Sequence, residues 1–194
     1  MNQLLDKLNE YKSIVNYRME YILEDDFAIS FKLKQTDFPH LLGLHKLIDI
    51  PVIRQFNDKN NLVIGAKYIN SKIKKQELLT ENSIKRSIYF PDIEVRFNSF
   101  SKENILTMSY TDAIVDFDAS LIGSNLKAKY ILFEKKQQGY NHLCVAKDGN
   151  GKMYAESFFH SPTDLYIRKQ NTIRVKCIRI YDNFGAIYLE DVLL

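Results

Sequence analysis

His40 and His45, five residues apart with Lys46 beside the second, form a compact set of proton-handling and cationic groups. Histidine exchanges protons near neutral pH and lysine carries a fixed charge, so the set suits proton transfer next to an anion. On a continuous helix the two rings would stand about 140° apart and would not both point at one small ligand. His45 would then fall between Leu41, Leu42 and Ile48 on the apolar side, as a hydrogen-bonded core residue or as a group aimed into a helix–sheet crevice. His40 lies near the expected helix start, where free backbone N–H groups favour an anion. A partly buried structural role is the plain alternative for either ring.

A second set of polar groups follows Asp148-Gly149-Asn150-Gly151, whose residues tolerate positive φ and predict a tight hairpin between strands 140–147 and 152–160. A two-residue turn at Asn150-Gly151 places Lys147 opposite Tyr154; a four-residue loop places it opposite Lys152. Both registers keep the same residues on each face. One face carries His142, Cys144, Ala146, Met153, Ala155, Ser157 and Phe159 and is expected to pack on the helices. The other carries Asn141, Leu143, Val145, Lys147, Tyr154, Glu156, Phe158 and His160. That mixture suits holding a phosphate and stacking a base, with an ordinary solvent-facing sheet surface as the alternative. Strand parity separates Glu156 from Ser157, which leaves an inner crevice with His45 and Ser157 or an outer face with Glu156 and His160.

The elements that must position these groups follow from hydrophobic spacing. Leu4, Leu8, Tyr11, Val15, Met19 and Ile22 predict a helix over 2–23, and Phe27, Ile29, Phe31 and Leu33 predict a strand over 27–34. Asp37 as a cap and Pro39 in the first turn start a helix that runs to about Asp49, before Pro51. Gly43 inside that helix costs about 1 kcal/mol relative to alanine, and a close approach by a strand or a substrate backbone would account for it. Residues 61–79 and 81–89 read as helices, and Ile93, Val95 and Phe97 read as a strand. No clear pattern covers 98–126. Strands are expected near 128–135, 140–147, 152–160, 173–181 and 184–190. The sum is one α+β domain over 1–194, with a helical N-terminal half followed by a mainly antiparallel sheet.

Composition narrows the classes. The 27 basic and 24 acidic residues leave a net charge of +3, too little for a strong long-range field, so any nucleic-acid contact must come from a local patch. Cys144 and Cys177 each sit in an apolar segment and read as buried free thiols. Neither a secretory leader nor a membrane-length apolar run is evident, so a cytoplasmic protein without membrane contact is expected. Phosphate-binding Gly loops, a dinucleotide fingerprint, His-Glu-x-x-His and paired Cys-x-x-Cys are missing. No cofactor and no metal site are therefore expected.

The segment Phe38-Pro39-His40-Leu41-Leu42-Gly43-Leu44-His45-Lys46-Leu47 resembles the phage-associated nuclease-like domains grouped with barnase, EndoU, the tRNase colicins and RelE. Tyr130-Ile131-Leu132-Phe133-Glu134-Lys135, followed by the hairpin and Tyr154-Ala155-Glu156-Ser157-Phe158-Phe159, is similar to the sheet of the fourth phage-associated class. The resemblance covers about residues 25–180, with a helical N-terminal extension. It implies a metal-independent endoribonuclease, commonly a toxin or an effector in phage–host conflict, with RNA as substrate and an antitoxin or other protein as partner. Such chemistry needs a base for the 2′-hydroxyl, an acid for the leaving 5′-oxygen and a cation for the phosphorane. His40 and His45 are the expected acid–base pair and Lys46 the cation. Glu156 and Ser157 are the sheet's catalytic candidates, and Tyr154, Phe158 and His160 its substrate-binding ones. The competing reading is an inactive nuclease-fold module that binds RNA, a nucleotide or a protein.

Overall fold

The side chain of Asn2 accepts a hydrogen bond from the Leu5 N–H and starts α1 (Gln3–Lys12), whose Leu4, Leu8 and Tyr11 are buried. The computed structural model describes residues 2–57, 62–107 and 109–193. The expected helix over 2–23 stops early. Asn16 turns the chain at φ 74, and β1 (Arg18–Leu23) buries Met19, Tyr21 and Leu23 in strict alternation. Val15, Met19 and Ile22 fit a helical stripe, but the aromatic and β-branched residues between 17 and 22 favour a pleated strand. β2 (Ala28–Lys32) pairs with β1 as a hairpin, where a strand was predicted.

The expected helix over the histidine segment is broken in two. α2 covers only Phe38–Leu41, Gly43 takes a left-handed φ of 82, and a 3-10 turn covers Leu44–Lys46. Asp37 does not cap α2 with its side chain; its carboxylate accepts the Lys34 N–H at 2.8 Å. Pro51 begins α3 (Pro51–Asn57), consistent with proline's tolerance in a first turn. α4 (Leu62–Lys74) follows; the expected helix start at Asn61 lies outside the described residues. Thr80 and Ser83 form a reciprocal capping box for α5 (Glu81–Lys85). The strand expected at Ile93, Val95 and Phe97 is instead α6 (Pro91–Ser99). Pro91 and the acidic Asp92 and Glu94 favour a helix start, and Ile93 and Phe97 share its buried face. α7 (Lys102–Ile105) and β3 (Asp112–Val115) occupy the segment that had no clear sequence pattern.

The remaining strands are β4 (Tyr130–Lys136), β5 (Gly139–Lys147), β6 (Met153–Ser161), β7 (Thr172–Tyr181) and β8 (Ile187–Val192). The sheet runs β2-β1-β7-β3-β4-β5-β6, with β8 also on β7, and every pairing is antiparallel. The α+β expectation holds in its coarse form, a mixed fold with a mainly C-terminal antiparallel sheet. Its division into halves does not, because β1 from the N-terminal part lies in the sheet beside β7. The ends of the ordered sheet, β2 and β6, also approach each other, so the sheet curls around the core. Among the described residues no helix is long and apolar enough to cross a membrane.

Two apolar clusters flank the hairpin. The larger joins the helices to Leu132, Leu143, Val145, Ala155 and Phe158; the smaller contains Ile131, Phe133 and Cys144, with Phe159 and Tyr166 packed against it. The face expected to meet the helices is therefore the wrong one beyond the turn. Leu143 and Phe158 meet them, while Cys144 and Phe159 belong to the smaller cluster.

Neither expected turn register forms. Asp148 N–H bonds to the Lys152 carbonyl, closing a three-residue loop, and Lys147 pairs with Met153. The register then shifts: Val145 pairs with Ala155 but Cys144 with Ser157, so Glu156 opposes no residue and forms a β-bulge.

Gly43 explains the broken helix. A Cβ there would meet the Ile93 Cγ2 at 3.0 Å and the Arg96 side chain at 3.1 Å, in a φ range that other residues occupy at a cost of about 1–2 kcal/mol. Gly43→Ala is expected to lower unfolding free energy by more than Gly123→Ala, whose φ is also positive but whose Cβ would meet nothing within 4 Å. Urea denaturation of the two variants separates backbone cost from packing cost.

Candidate active site

The break at Gly43 folds the chain back on itself and brings the rings of His40 and His45 to 4.9 Å between centroids. The 140° separation expected of a continuous helix does not apply. Both rings border a cleft of about 800 Å3 between the histidine segment, α6 and the edge strand β6. That volume lies in the range of small-molecule and cofactor sites, about 300–1,000 Å3. α2 has only four residues, so the expected anion-attracting helix start is not there.

Lys46 also borders the cleft, as do Glu156, Ser157 and His160. The expected choice between an inner crevice and an outer face dissolves. The bulge at Glu156 upsets simple strand parity, and the cleft runs along a sheet edge, where side chains from both faces border it. Tyr154 is half-buried beneath Lys34, 5.9 Å from its ring, and does not line the cleft. Phe158 is fully buried and packs edge-on against Phe100 at 6.3 Å. It offers no ring for a base, which corrects its expected substrate-binding role.

Arg96 is the residue that sequence reading missed. It lies on α6, is 8% exposed, and reaches the cleft from below. Its Nη1 donates to the His40 carbonyl at 3.4 Å, and its guanidinium sits 5.8 Å from the Phe159 ring centroid. Among the described residues Arg96 makes no ion pair with a carboxylate. Phe159 and Tyr166, with centroids 4.7 Å apart, form an aromatic wall further along the cleft. Reading Pro91-Asp92-Ile93-Glu94 as a helix start would have placed Arg96 one turn from Ile93. Tyr166 carried no comparable signal.

Burial and charge divide the titrating groups. Burial pushes His45 down to about 3, reinforced by His40, Arg96 and Lys46, so it is neutral across the physiological range. Burial also lowers His40, opposed by the carboxylate of Glu156, which favours the protonated ring. Lys46 is lowered by burial and then by Arg96. Asp37, 8% exposed, is raised to about 7 mainly by burial, with Glu156 adding to the rise against its hydrogen bonds. Among the described residues no group of three or more His, Cys, Asp or Glu side chains could hold a metal ion.

His160 stands in a different environment. Its Nδ1 lies 3.0 Å from Asn141 Oδ1, Asn141 Nδ2 donates to Glu134 Oε1 at 2.9 Å, and Lys136 Nζ lies 2.8 Å from the same oxygen. Glu134, Asn141 and His160 form one rung across β4, β5 and β6.

With this geometry stands a sequence match. Residues 3–183 fit the model of the family described as phage-Barnase-EndoU-ColicinE5/D-RelE like nuclease4. The chain belongs to this family of phage-associated nucleases. No curated protein and no solved structure matches it.

Asp37 gives a pH-dependent test of the buried charge. It binds its proton near pH 7 in the folded chain and near pH 4 when unfolded, so the native state holds more protons across that window and gains stability as pH falls. His45 and His142, lowered to about 3 and about 4, act in the opposite sense below about pH 6.5 and are common to both proteins. Asp37→Asn keeps an acceptor for the Lys34 N–H without the charge. It is expected to raise Tm at pH 8 by several degrees, at about 2–4 °C per kcal/mol, with the gain shrinking between pH 7 and pH 4.

Proposed function

We propose that the cleft is the active site of a metal-independent endoribonuclease that cleaves RNA by histidine acid–base chemistry, acting in the cytoplasm as a toxin or phage–host conflict effector. The observation that carries this reading is Arg96, a buried guanidinium bordering the cleft with no carboxylate partner among the described residues. An uncompensated buried cation costs several kcal/mol, and an incoming phosphodiester supplies the missing charge. Lys46 lies near Arg96 and adds a second cation for the charge that develops on the phosphorane. Family membership supports nuclease chemistry. RNA as the substrate follows from the family resemblance, and the acid–base groups suit attack by a 2′-hydroxyl.

His40 is the acid that protonates the leaving 5′-oxygen; burial disfavours its charged form, and Glu156 offsets part of that cost. His45, held neutral, packs on His40 and orients it rather than donating a proton. Ser157 contributes a hydroxyl to the cleft wall, and Phe159 with Tyr166 gives bases an aromatic surface where Phe158 cannot. An antitoxin or other protein that covers the cleft would be the regulatory partner.

Purified protein incubated with total RNA in excess EDTA should produce discrete fragments ending in 2′,3′-cyclic phosphates. Arg96→Met removes the cation at similar length, and His40→Ala removes the acid; each should lower kcat/KM by about 100-fold or more with the fold retained by circular dichroism. Wild-type cleavage that vanishes on chelation, or full activity in Arg96→Met, would rule the mechanism out.

A further inference from the structure

The rung formed by Glu134, Asn141 and His160 is more organised than a substrate contact requires. Glu134 is 2% and Asn141 4% exposed, and both side chains are committed to each other in the sheet interior. The carboxylate can only accept from Asn141 Nδ2, which turns Asn141 Oδ1 toward His160. An amide oxygen cannot donate, so His160 Nδ1 is the donor in this contact, and in the neutral ring Nε2 then keeps its lone pair. An ion pair with the exposed Lys136 anchors the far end of the chain of contacts.

We propose that Glu134 and Asn141 are positioning residues that hold His160 as the general base of the cleft, with Nε2 presented to the substrate. This rests on the ribonuclease reading and completes it, since His40 then needs to act only as the acid. In the step, His160 Nε2 takes the proton of the 2′-hydroxyl while the 2′-oxygen forms its bond to phosphorus. The bond from phosphorus to the 5′-oxygen breaks, and that oxygen takes the proton of His40. The products are a 2′,3′-cyclic phosphate and a free 5′-hydroxyl, with the enzyme left as His160 cation and neutral His40. Hydrolysis of the cyclic ester, or exchange with water, returns both protons to their starting places. The imidazolium formed on His160 keeps Asn141 Oδ1 as the acceptor of its Nδ1–H, in the same geometry that fixed the neutral tautomer.

The charged and titratable groups around His160 are Glu134 and Lys136 through Asn141, His142 on the adjacent strand, and, bordering the same cleft, Glu156, Lys127, His40, His45, Lys46, Asp92, Arg96 and Tyr166. Glu134→Gln removes one of these charges without removing the hydrogen-bonding atoms.

Nitrogen-15 NMR of the imidazole rings, read at pH 8 on the whole chain, should place the His160 proton on Nδ1 in wild type. An Nε2-protonated ring overturns the proposal without reference to activity. His160→Ala should lower kcat by about 100-fold or more on an RNA oligonucleotide with KM little changed, as loss of a base does. Glu134→Gln and Asn141→Ala should lower kcat by about 10–100-fold, the scale of lost orienting partners. In Asn141→Ala the same nitrogen-15 spectra should show the His160 proton no longer held on Nδ1, because the acceptor that fixes the tautomer is gone. An unmoved tautomer in folded Asn141→Ala, or a His160→Ala protein with wild-type kcat, overturns the base assignment. Wild-type protein that cleaves no RNA overturns the ribonuclease reading and the base role with it; the Nδ1 tautomer is then the part that survives.

Discussion

The contact between Gly43 and α6 determines the shape of the cleft. A residue with a side chain at that point would collide with Ile93 and Arg96, and the left-handed φ that turns the histidine segment back would be strained. From this one approach follow the tilted contact of His40 with His45, the placement of Lys46 at the rim and the coverage of Arg96 by the chain above it. The helix-breaking cost of a glycine is small beside what the close packing makes possible.

Desolvation then acts differently on each wall. The α-helical wall collects cations and imidazoles whose charged forms are disfavoured by burial and by one another, so it is short of negative charge. The sheet wall contributes carboxylates and ordered hydrogen bonds: Glu156 at the bulge, and Glu134 beneath Asn141 and His160. Under the proposed function the cationic wall would face the phosphodiester and the wall with Glu156 and His160 its exchangeable protons. The aromatic pair of Phe159 and Tyr166 adds an apolar surface beside the cationic one.

Much of the sheet was legible because its strands are long and bounded by turn residues. The last five strands fall within about three residues of their expected positions, and the Gly-rich turn marks their central hairpin. The histidine segment was legible as a candidate by residue type but not by geometry, since a helix period was applied across a glycine that ends the helix. Val15, Met19 and Ile22 misled in the same way, because a four-residue spacing followed by alternation satisfies both periods until the partner strand is known. β1 is fixed by pairing with β7, from the other end of the chain, and no local pattern carries that information. The parity rule that separated Glu156 from Ser157 failed for a simpler reason. It assumes an unbroken ladder, and one bulged residue in an edge strand is invisible in composition.

The rung of Glu134, Asn141 and His160 draws on three consecutive strands joined by two hairpins, so its members are close in sequence as well as in space. Arg96, His40 and His45 reach the same cleft from the helical segments before β3. The two walls therefore differ in how much chain must be organised before each exists: one needs only local strand pairing in the correct register, the other needs distant segments docked on that sheet. A one-residue slip in either hairpin would carry Asn141 to the opposite face and disconnect the rung. On the proposed mechanism, proton handling would be a readout of strand register, and charge neutralisation a readout of tertiary closure.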